Sequence, residues 1–174
     1  MTVLERITSE YSDTEDRIRL TAVTDSNATL ILWLTQRLLV RLLGHFLNWL
    51  EHEAPEITHS TAIDSRAKST LQGIAQQSAQ AELPKQAAVA PNPESQHWLI
   101  REIDIKNGQD VVLLVFKCAD GQRAEMSFST QQLRQWLGIL HTLWVEAEWP
   151  MTLWPEWMDG DLQTEIGTPD SPLH

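Results

Sequence analysis

An internal repeat constrains the fold of this chain more than any other feature of its sequence. Residues 3–55 align without a gap to residues 98–150 at an offset of 95, and 11 of the 53 aligned positions are identical. Ordinary composition would give about 3 identities. The identical pairs are Leu4/Leu99, Arg6/Arg101, Asp25/Asp120, Thr35/Thr130, Gln36/Gln131, Leu38/Leu133, Leu42/Leu137, Trp49/Trp144, Glu51/Glu146, Glu53/Glu148 and Pro55/Pro150. Because they cover strands and breakers as well as helices, we favour duplication over a chance match of two amphipathic helices.

Each half of the repeat predicts three strands followed by one helix. The predicted strands are Val3–Tyr11, Arg17–Val23, Thr29–Leu34, His97–Lys106, Val111–Cys118 and Ala124–Phe128. The turn signals Asn107-Gly108 and Asp120-Gly121 favour hairpins between the strands of the second half. The first helix is expected from Thr35 to about Glu53, and Ser129 or Thr130 is expected to cap the second. Pro55 and Pro150 end the two helices.

Both predicted helices have an apolar stripe with helical spacing. The stripe residues are Leu38, Leu39, Leu42, Leu43, Phe46, Trp49 and Leu50 in the first helix and Leu133, Trp136, Leu137, Leu140, Leu143 and Trp144 in the second. One meander with one helix cannot cover such a stripe and its own sheet edges. The predicted fold class is therefore α+β, with two tandem β-β-β-α repeats packed about a pseudo-two-fold axis, antiparallel sheets and two main helices.

Composition divides the chain into four segments. Residues 1–55 and 97–150 are the repeats, which we expect to form one domain. Residues 56–96 are rich in Ala, Gln and Pro and predict a flexible connector with one helix between Ile63 and Leu83, whose apolar side would hold Ile63, Ala67, Leu71, Ile74 and Ala75. Residues 151–174 form an acidic, Trp-containing tail. Its first part, to Met158, is expected to dock on the body through Trp149, Leu153, Trp154 and Trp157, and its end to be disordered.

The net charge of −11 is concentrated at the two ends of the chain. Residues 1–16 sum to −4 and residues 146–174 to −7, whereas residues 17–145 sum to zero. This distribution disfavours both a uniformly acidic mimic of DNA and a strongly basic groove.

The single cysteine, Cys118, excludes an intrachain disulfide and a Cys-based metal site. No apolar stretch reaches the roughly 20 residues that span a bilayer, and the first ten residues do not resemble a signal peptide. We therefore expect a cytoplasmic protein without a membrane segment.

For several candidate functional sites, a structural role explains the residues better than a metal site or catalysis does. His45 and His52 lie seven residues apart on one helix, about 10 Å along its axis, which is too far for one metal ion. Cys118 follows Lys117 and could be a reactive thiol with His97 or His141 as its base, but it aligns with Val23, a core-type position. A buried, unreactive thiol is the favoured interpretation.

Paired carboxylates recur at the ends of both predicted helices, as Glu51/Glu53 and Glu146/Glu148. Acidic side chains at a helix C-terminus oppose the helix dipole, so their recurrence indicates a compensating cation. The recurring arginines, Arg6 and Arg101, are the natural partners. We predict structural salt bridges between the first strand and the helix end of each repeat.

The eight tryptophans fall into two groups. Trp33, Trp49, Trp136 and Trp144 lie on predicted strand and helix faces, where core packing explains them. Trp98, Trp149, Trp154 and Trp157 lie at a strand start or in the tail, where aromatic anchors are typical of protein interfaces. We predict that these four bind a partner.

The favoured function is a non-catalytic protein-interaction or assembly protein, whose partner is another protein or a second copy of the chain. No nucleotide-binding or nucleophile motif occurs, and no cofactor is expected. The alternative is single-stranded nucleic-acid binding, because a duplicated meander-plus-helix unit resembles the Whirly and PUR architectures. In that alternative the cations would be Arg17, Arg19, Lys106, Lys117 and Arg123.

Overall fold

Six strands close into a barrel in this structure, a computed structural model that describes residues 1–52 and 65–159. The strands are β1 (Thr2–Ser12), β2 (Arg17–Thr24), β3 (Thr29–Thr35), β4 (Gln96–Asn107), β5 (Val111–Cys118) and β6 (Arg123–Ser129). The helices of the described residues are α1 (Gln36–His52), α2 (Ser65–Ala81) and α3 (Thr130–Glu146), followed by two single 3₁₀ turns, Met151–Leu153 and Glu156–Met158. The predicted α+β class and all six strands are confirmed.

Two parallel seams close the barrel, which the prediction of antiparallel sheets did not include. Strands β1–β2–β3 and β4–β5–β6 are antiparallel meanders. Strand β3 pairs in parallel with β4 over four residue pairs, and β1 pairs in parallel with β6 over two. Each meander alone would have two open edges, and pairing edge to edge removes them. Closure therefore depends on contacts between the two halves of the chain.

Strands β3 and β6 run in the same direction, so α1 and α3 begin at the same end of the barrel. Their apolar stripes form one cluster with the inward-facing strand residues. Trp136 of α3 stacks on Phe128 of β6 at 5.2 Å and meets Phe46 of α1 edge to face at 6.3 Å. Burial of these rings explains why both helices are held against the strands. No helix in the described ranges is long and apolar enough to cross a membrane.

Helix α3 begins with a capping box. The Ser129 hydroxyl accepts from the Gln132 backbone N–H at 3.1 Å, and the Gln132 side chain accepts from the Ser129 N–H at 2.9 Å. This reciprocal pair satisfies two backbone donors at the helix start. The predicted cap at this position is confirmed.

The connector contains a full helix, and its buried side is polar, contrary to the apolar side that was predicted. Ile74 is 59% exposed, whereas Gln72 and Gln76 are buried. No α2 residue belongs to the main apolar cluster. The glutamines of α2 are buried because α2 packs on a polar face of α3 instead of on the barrel core. Ile63, also expected on the apolar side, lies outside the described residues.

Candidate interaction surface

Seven of the eight tryptophans are buried, including all four that the sequence suggested as partner anchors. Trp149 donates to Asp16 at 2.9 Å, Trp157 donates to Glu51 at 3.0 Å, and Trp98 donates to Gln96 at 3.2 Å. Trp154 packs edge to face on Trp144 at 5.7 Å. The expected docking of the segment up to Met158 is confirmed. In this structure the four rings contact their own chain, and a role in partner binding stays a prediction.

Trp33 is the one tryptophan that is only half-buried. It lies on β3 between Leu32 and Leu34, which face the barrel interior, so alternation along the strand turns its ring outward. The sequence predicts Trp33 in the core, which is wrong because strand alternation alone does not say which face of the strand is buried. Barrel closure decides that question.

Two neighbours on β4 complete an exposed surface around this ring. The Trp33 indole N–H donates to His97 Nδ1 at 3.1 Å, and the two rings lie nearly parallel with centroids 6.2 Å apart. Leu99 is the register partner of Trp33 across the parallel seam and is 38% exposed. We call Trp33, His97 and Leu99 the Trp33 patch.

The cations near this face are largely paired with carboxylates. Arg19, the register partner of Trp33 on β2, forms an ion pair with Glu10 of β1. Arg17 lies 3.8 Å from Glu15. These pairs leave little uncompensated positive charge beside the patch.

A second carboxylate pair holds Lys117 on the outside of β5. Its Nζ lies 2.6 Å from Asp104 and 3.2 Å from Glu102. The hydrogen bond between Lys117 and Asp104 raises the pKa of the lysine and lowers the pKa of the aspartate. Lys106 and Arg123 make no ion pair with the described residues. Three of the five cations proposed for phosphate binding are thus already paired.

The predicted salt bridges between Arg6 or Arg101 and the helix-end carboxylates do not form among the described residues. Glu51 instead accepts the Trp157 indole N–H. Glu146 and Glu148 are exposed. Glu53 lies outside the described residues, so its pairing stays a prediction.

A buried polar layer between α2 and α3 was not anticipated from sequence. Arg134 is 2% exposed, donates to the Gln72 side chain at 2.7 Å and lies 5.8 Å from the Trp157 ring centre. Gln76 donates to the Arg134 carbonyl at 2.7 Å, and Gln135 donates to the Ala79 carbonyl at 3.0 Å. The sequence of α3 has polar residues on a second face, which is typical of a helix face exposed to solvent. Only the position of α2 shows that this face is buried.

Asp16 ties the β1–β2 turn to the docked tail. It accepts the Tyr11 hydroxyl at 2.7 Å and the Trp149 indole N–H at 2.9 Å. The hydrogen bond to Asp16 raises the pKa of Tyr11 to about 12. The hydrogen bonds from Tyr11 and then Trp149 lower the pKa of Asp16.

The two histidines considered as metal ligands each form a hydrogen bond with another residue, and the cysteine has a raised pKa. His45 makes a 3.2 Å hydrogen bond with Asn107, and His52 bonds to the Asn48 carbonyl at 3.0 Å. No group of three potential metal ligands occurs among the described residues. Burial raises the pKa of the Cys118 thiol, which disfavours the reactive thiolate.

The comparisons with known proteins give no relative. No protein-family model matches the chain, and neither a curated protein nor a solved structure matches it.

Proposed function

We propose that this protein is a non-catalytic assembly protein that associates with a second copy of itself through the Trp33 patch. The observation that supports this most directly is that one tryptophan, Trp33, is only half-buried and lies beside the exposed Leu99, while the other seven tryptophans are buried. Tryptophan and an exposed aliphatic neighbour are typical of interface centres. The barrel holds the patch on paired strands, so little order has to be gained on binding.

A second copy is the occupant that the surrounding charges favour. One row across four strands consists of Glu10, Arg19, Trp33 and Leu99. The acid and the base of this row are paired with each other, so the apolar residues Trp33 and Leu99 lie beside a locally neutral surface that a second copy can approach. The patch has three residues, whereas a stable interface of about 1,600 Å² has roughly 20 or more on each side. We therefore expect a weak dimer that forms with increasing concentration.

The effect of salt concentration on binding distinguishes self-association from nucleic-acid binding. A chain of net charge −11 repels its own copies, and added salt screens that repulsion. Self-association through the patch should therefore strengthen as salt increases. Binding of single-stranded nucleic acid, as in the Whirly-like or PUR-like alternative, weakens with salt because counterions are released from phosphates.

One observation favours the nucleic-acid alternative, since an exposed Trp33 on a sheet could stack on a base. Its weakness is the charge beside that ring. Arg17, Arg19 and Lys117 are paired with carboxylates, and phosphate binding would have to break those pairs. This alternative therefore stands second.

Sedimentation velocity over a range of protein concentrations tests the proposal. The wild-type chain should form dimers, more so at high salt than at low salt. Leu99→Lys should abolish the dimer, because it places a charge at the centre of the contact. The matched control is Val111→Lys, at an exposed strand position of similar accessibility on β5, and it should dimerise as wild type does.

A strictly monomeric wild-type chain at all concentrations and salts would overturn self-association. Equal loss of the dimer in Leu99→Lys and Val111→Lys would overturn the assignment to the Trp33 patch. Labelled oligo-dT, titrated at low and high salt, tests the alternative. Salt-sensitive oligo-dT binding that is lost in Trp33→Leu, with a monomeric protein, would replace the assembly function by the alternative.

We also infer that the chain is a duplicated β-β-β-α unit with approximate two-fold symmetry. The meanders share their antiparallel registers, with Arg17 opposite Thr35 and Val111 opposite Ser129. Both have an irregularity in the first strand, at Leu4/Arg6 and at Ile100/Glu102. These correspondences are 94 and 96 residues apart, so the gap-free offset of 95 lies between two registers. Homologous sequences whose halves match only in the helices would contradict the duplication.

A cytoplasmic location is part of the same proposal. The single cysteine, Cys118, fits a reducing compartment, although it does not require one. Fluorescence microscopy of the tagged full-length chain in its own cell tests the location, and a signal outside the cytoplasm would contradict it.

A further inference from the structure

A groove opens beside β1 where the barrel seam ends. Strands β1 and β6 pair only through Thr2/Ala124 and Val3/Glu125. Beyond these pairs the two strands separate, and α3 lies against both. The chain leaving α2 passes along this opening at residues 83–88 and is tied down when the Val89 N–H donates to Thr8 Oγ1 at 2.8 Å. The enclosed space is about 310 Å³, at the small end of the range for ligand pockets.

Apolar groups form the floor of the groove. Phe128 and Trp136 lie stacked with ring centres 5.2 Å apart, and Ile7 and Ile139 continue the surface on either side. Leu83 closes the groove from the side of the connecting chain. Phe128 and Trp136 are themselves only 4% and 3% exposed, so a ligand would bury its apolar body mainly against Ile7, Ile139 and Leu83.

The polar groups of the groove offer mainly hydrogen-bond donors. Thr8 Oγ1 already accepts from Val89, and Ser9 Oγ accepts the Trp136 indole N–H at 3.0 Å, so each hydroxyl proton is available to a ligand. The Gln132 oxygen is engaged in the helix cap, which leaves its amide N–H groups. Gln135 is held by its hydrogen bond to the Ala79 carbonyl.

The charged residues at the groove also favour a ligand that accepts hydrogen bonds. Arg6 lines the groove and forms no ion pair with the described residues. Among the residues that the structure describes, no Asp or Glu lines the groove, in a chain that has 24 acidic residues and a net charge of −11. A carboxylate complements these groups, because it accepts hydrogen bonds and pairs with a guanidinium.

We propose that this groove binds a small apolar carboxylate, such as a short-chain fatty acid or an aryl carboxylate. The anion faces Arg6 and the hydroxyls of Thr8 and Ser9. The hydrocarbon lies on Ile7 and Ile139, over the buried pair Phe128 and Trp136 and beneath the chain between α2 and β4. This site lies on β1 and α3, apart from the Trp33 patch, and it does not depend on self-association.

Octanoate is a suitable probe, and NMR of the tryptophan indole N–H groups provides the measurement. The Trp136 signal, identified by its loss in Trp136→Phe, reports directly because this N–H donates to Ser9 at the groove wall. Octanoate should shift it with a saturable midpoint and leave the other indole signals largely unmoved. Octan-1-ol, which has the same chain without the charge, should bind more weakly.

Two arginine variants separate site binding from a general effect of charge. Arg6→Gln should weaken octanoate about tenfold, the loss of one charge-assisted contact, while binding of octan-1-ol stays unchanged. Arg41→Gln is the matched control, because Arg41 is exposed on α1 and does not line the groove. It should bind octanoate as wild type does.

Three outcomes would overturn the proposal. The first is a Trp136 signal that octanoate does not move at millimolar concentration. The second is a shift of all the indole signals with one common midpoint, which indicates non-specific association. The third is equal octanoate affinity in Arg6→Gln and Arg41→Gln, which removes the role of the anion site.

Discussion

Gln72→Ala tests whether the polar layer between α2 and α3 holds α2 on the protein. The Gln72 side chain is 2% exposed and bridges two elements. Its amide nitrogen donates to the Leu50 carbonyl at 2.6 Å, and its oxygen accepts from Arg134 at 2.7 Å. Alanine removes both contacts without lowering helix propensity. Any loss of stability therefore comes from the two hydrogen bonds and the space that the side chain filled.

The expected cost follows from the two broken contacts. A buried carbonyl that loses its partner costs about 1 kcal/mol or more, and a hydrogen bond to a charged group contributes about 2 kcal/mol. Together they destabilise the docked state of α2 by about 3 kcal/mol, which is roughly 100-fold in the docking equilibrium. The barrel should be spared, since no α2 side chain belongs to the main apolar cluster.

Hydrogen exchange measured by mass spectrometry separates the docking of α2 from global stability. Amides of α2 should exchange roughly 100-fold faster in Gln72→Ala, whereas amides of β2 and β5 keep their protection. Gln77→Ala is the matched control on the same helix, because Gln77 makes no side-chain hydrogen bond to the described residues. It should exchange as wild type does.

Two results would refute this reasoning. If β2 and β5 lose protection by the same factor as α2, the helix unfolds together with the barrel and is not docked separately. If α2 exchange is unchanged, the hydrogen bonds of Gln72 do not determine its docking.

Two further predictions follow from local geometry. Asp16→Asn should move the ionisation midpoint of Tyr11 from about 12 towards the ordinary value of 10.0, as followed by ultraviolet absorbance against pH; an unmoved midpoint would contradict the hydrogen-bond origin of the shift. The pKa of Asp16 is lower in the folded protein than the ordinary value of 3.8. Its ionised form therefore contributes to stability above pH 3.8, and this contribution is lost as the pH falls through the pKa of the folded state. The urea midpoints of wild type and Asp16→Asn should therefore converge in acid. Ser129→Ala should cost about 1 kcal/mol in urea unfolding, with Ser129→Asp close to wild type; equal stability of all three would exclude a role for the cap.

Local sequence pattern was sufficient for the strands and the two repeat helices. The predicted strand Val111–Cys118 has the observed bounds, and the cap is Ser129, one of the two residues predicted for it. These features depend on alternation, capping and breakers within a few residues of chain. They require no knowledge of what the element packs against.

The function of each tryptophan could not be predicted in the same way. Trp33 was predicted to lie in the core and is half-buried on the outer face, whereas Trp149 and Trp157 were predicted both to dock the tail on the body and to bind a partner, and they are buried against their own chain. Each of these outcomes depends on a partner far along the chain. Asp16 lies 133 residues from Trp149, and Glu51 lies 106 residues from Trp157.

The sequence by itself determined six strands, two amphipathic helices and the repetition of their order. Tertiary structure alone decided that the two meanders join edge to edge in parallel, that Trp33 faces outward, and that Arg134 and Gln72 form a buried polar layer. The physical reason is the range of the interactions. Alternation and capping act between near neighbours, whereas seam pairing and burial depend on which distant segment covers each face.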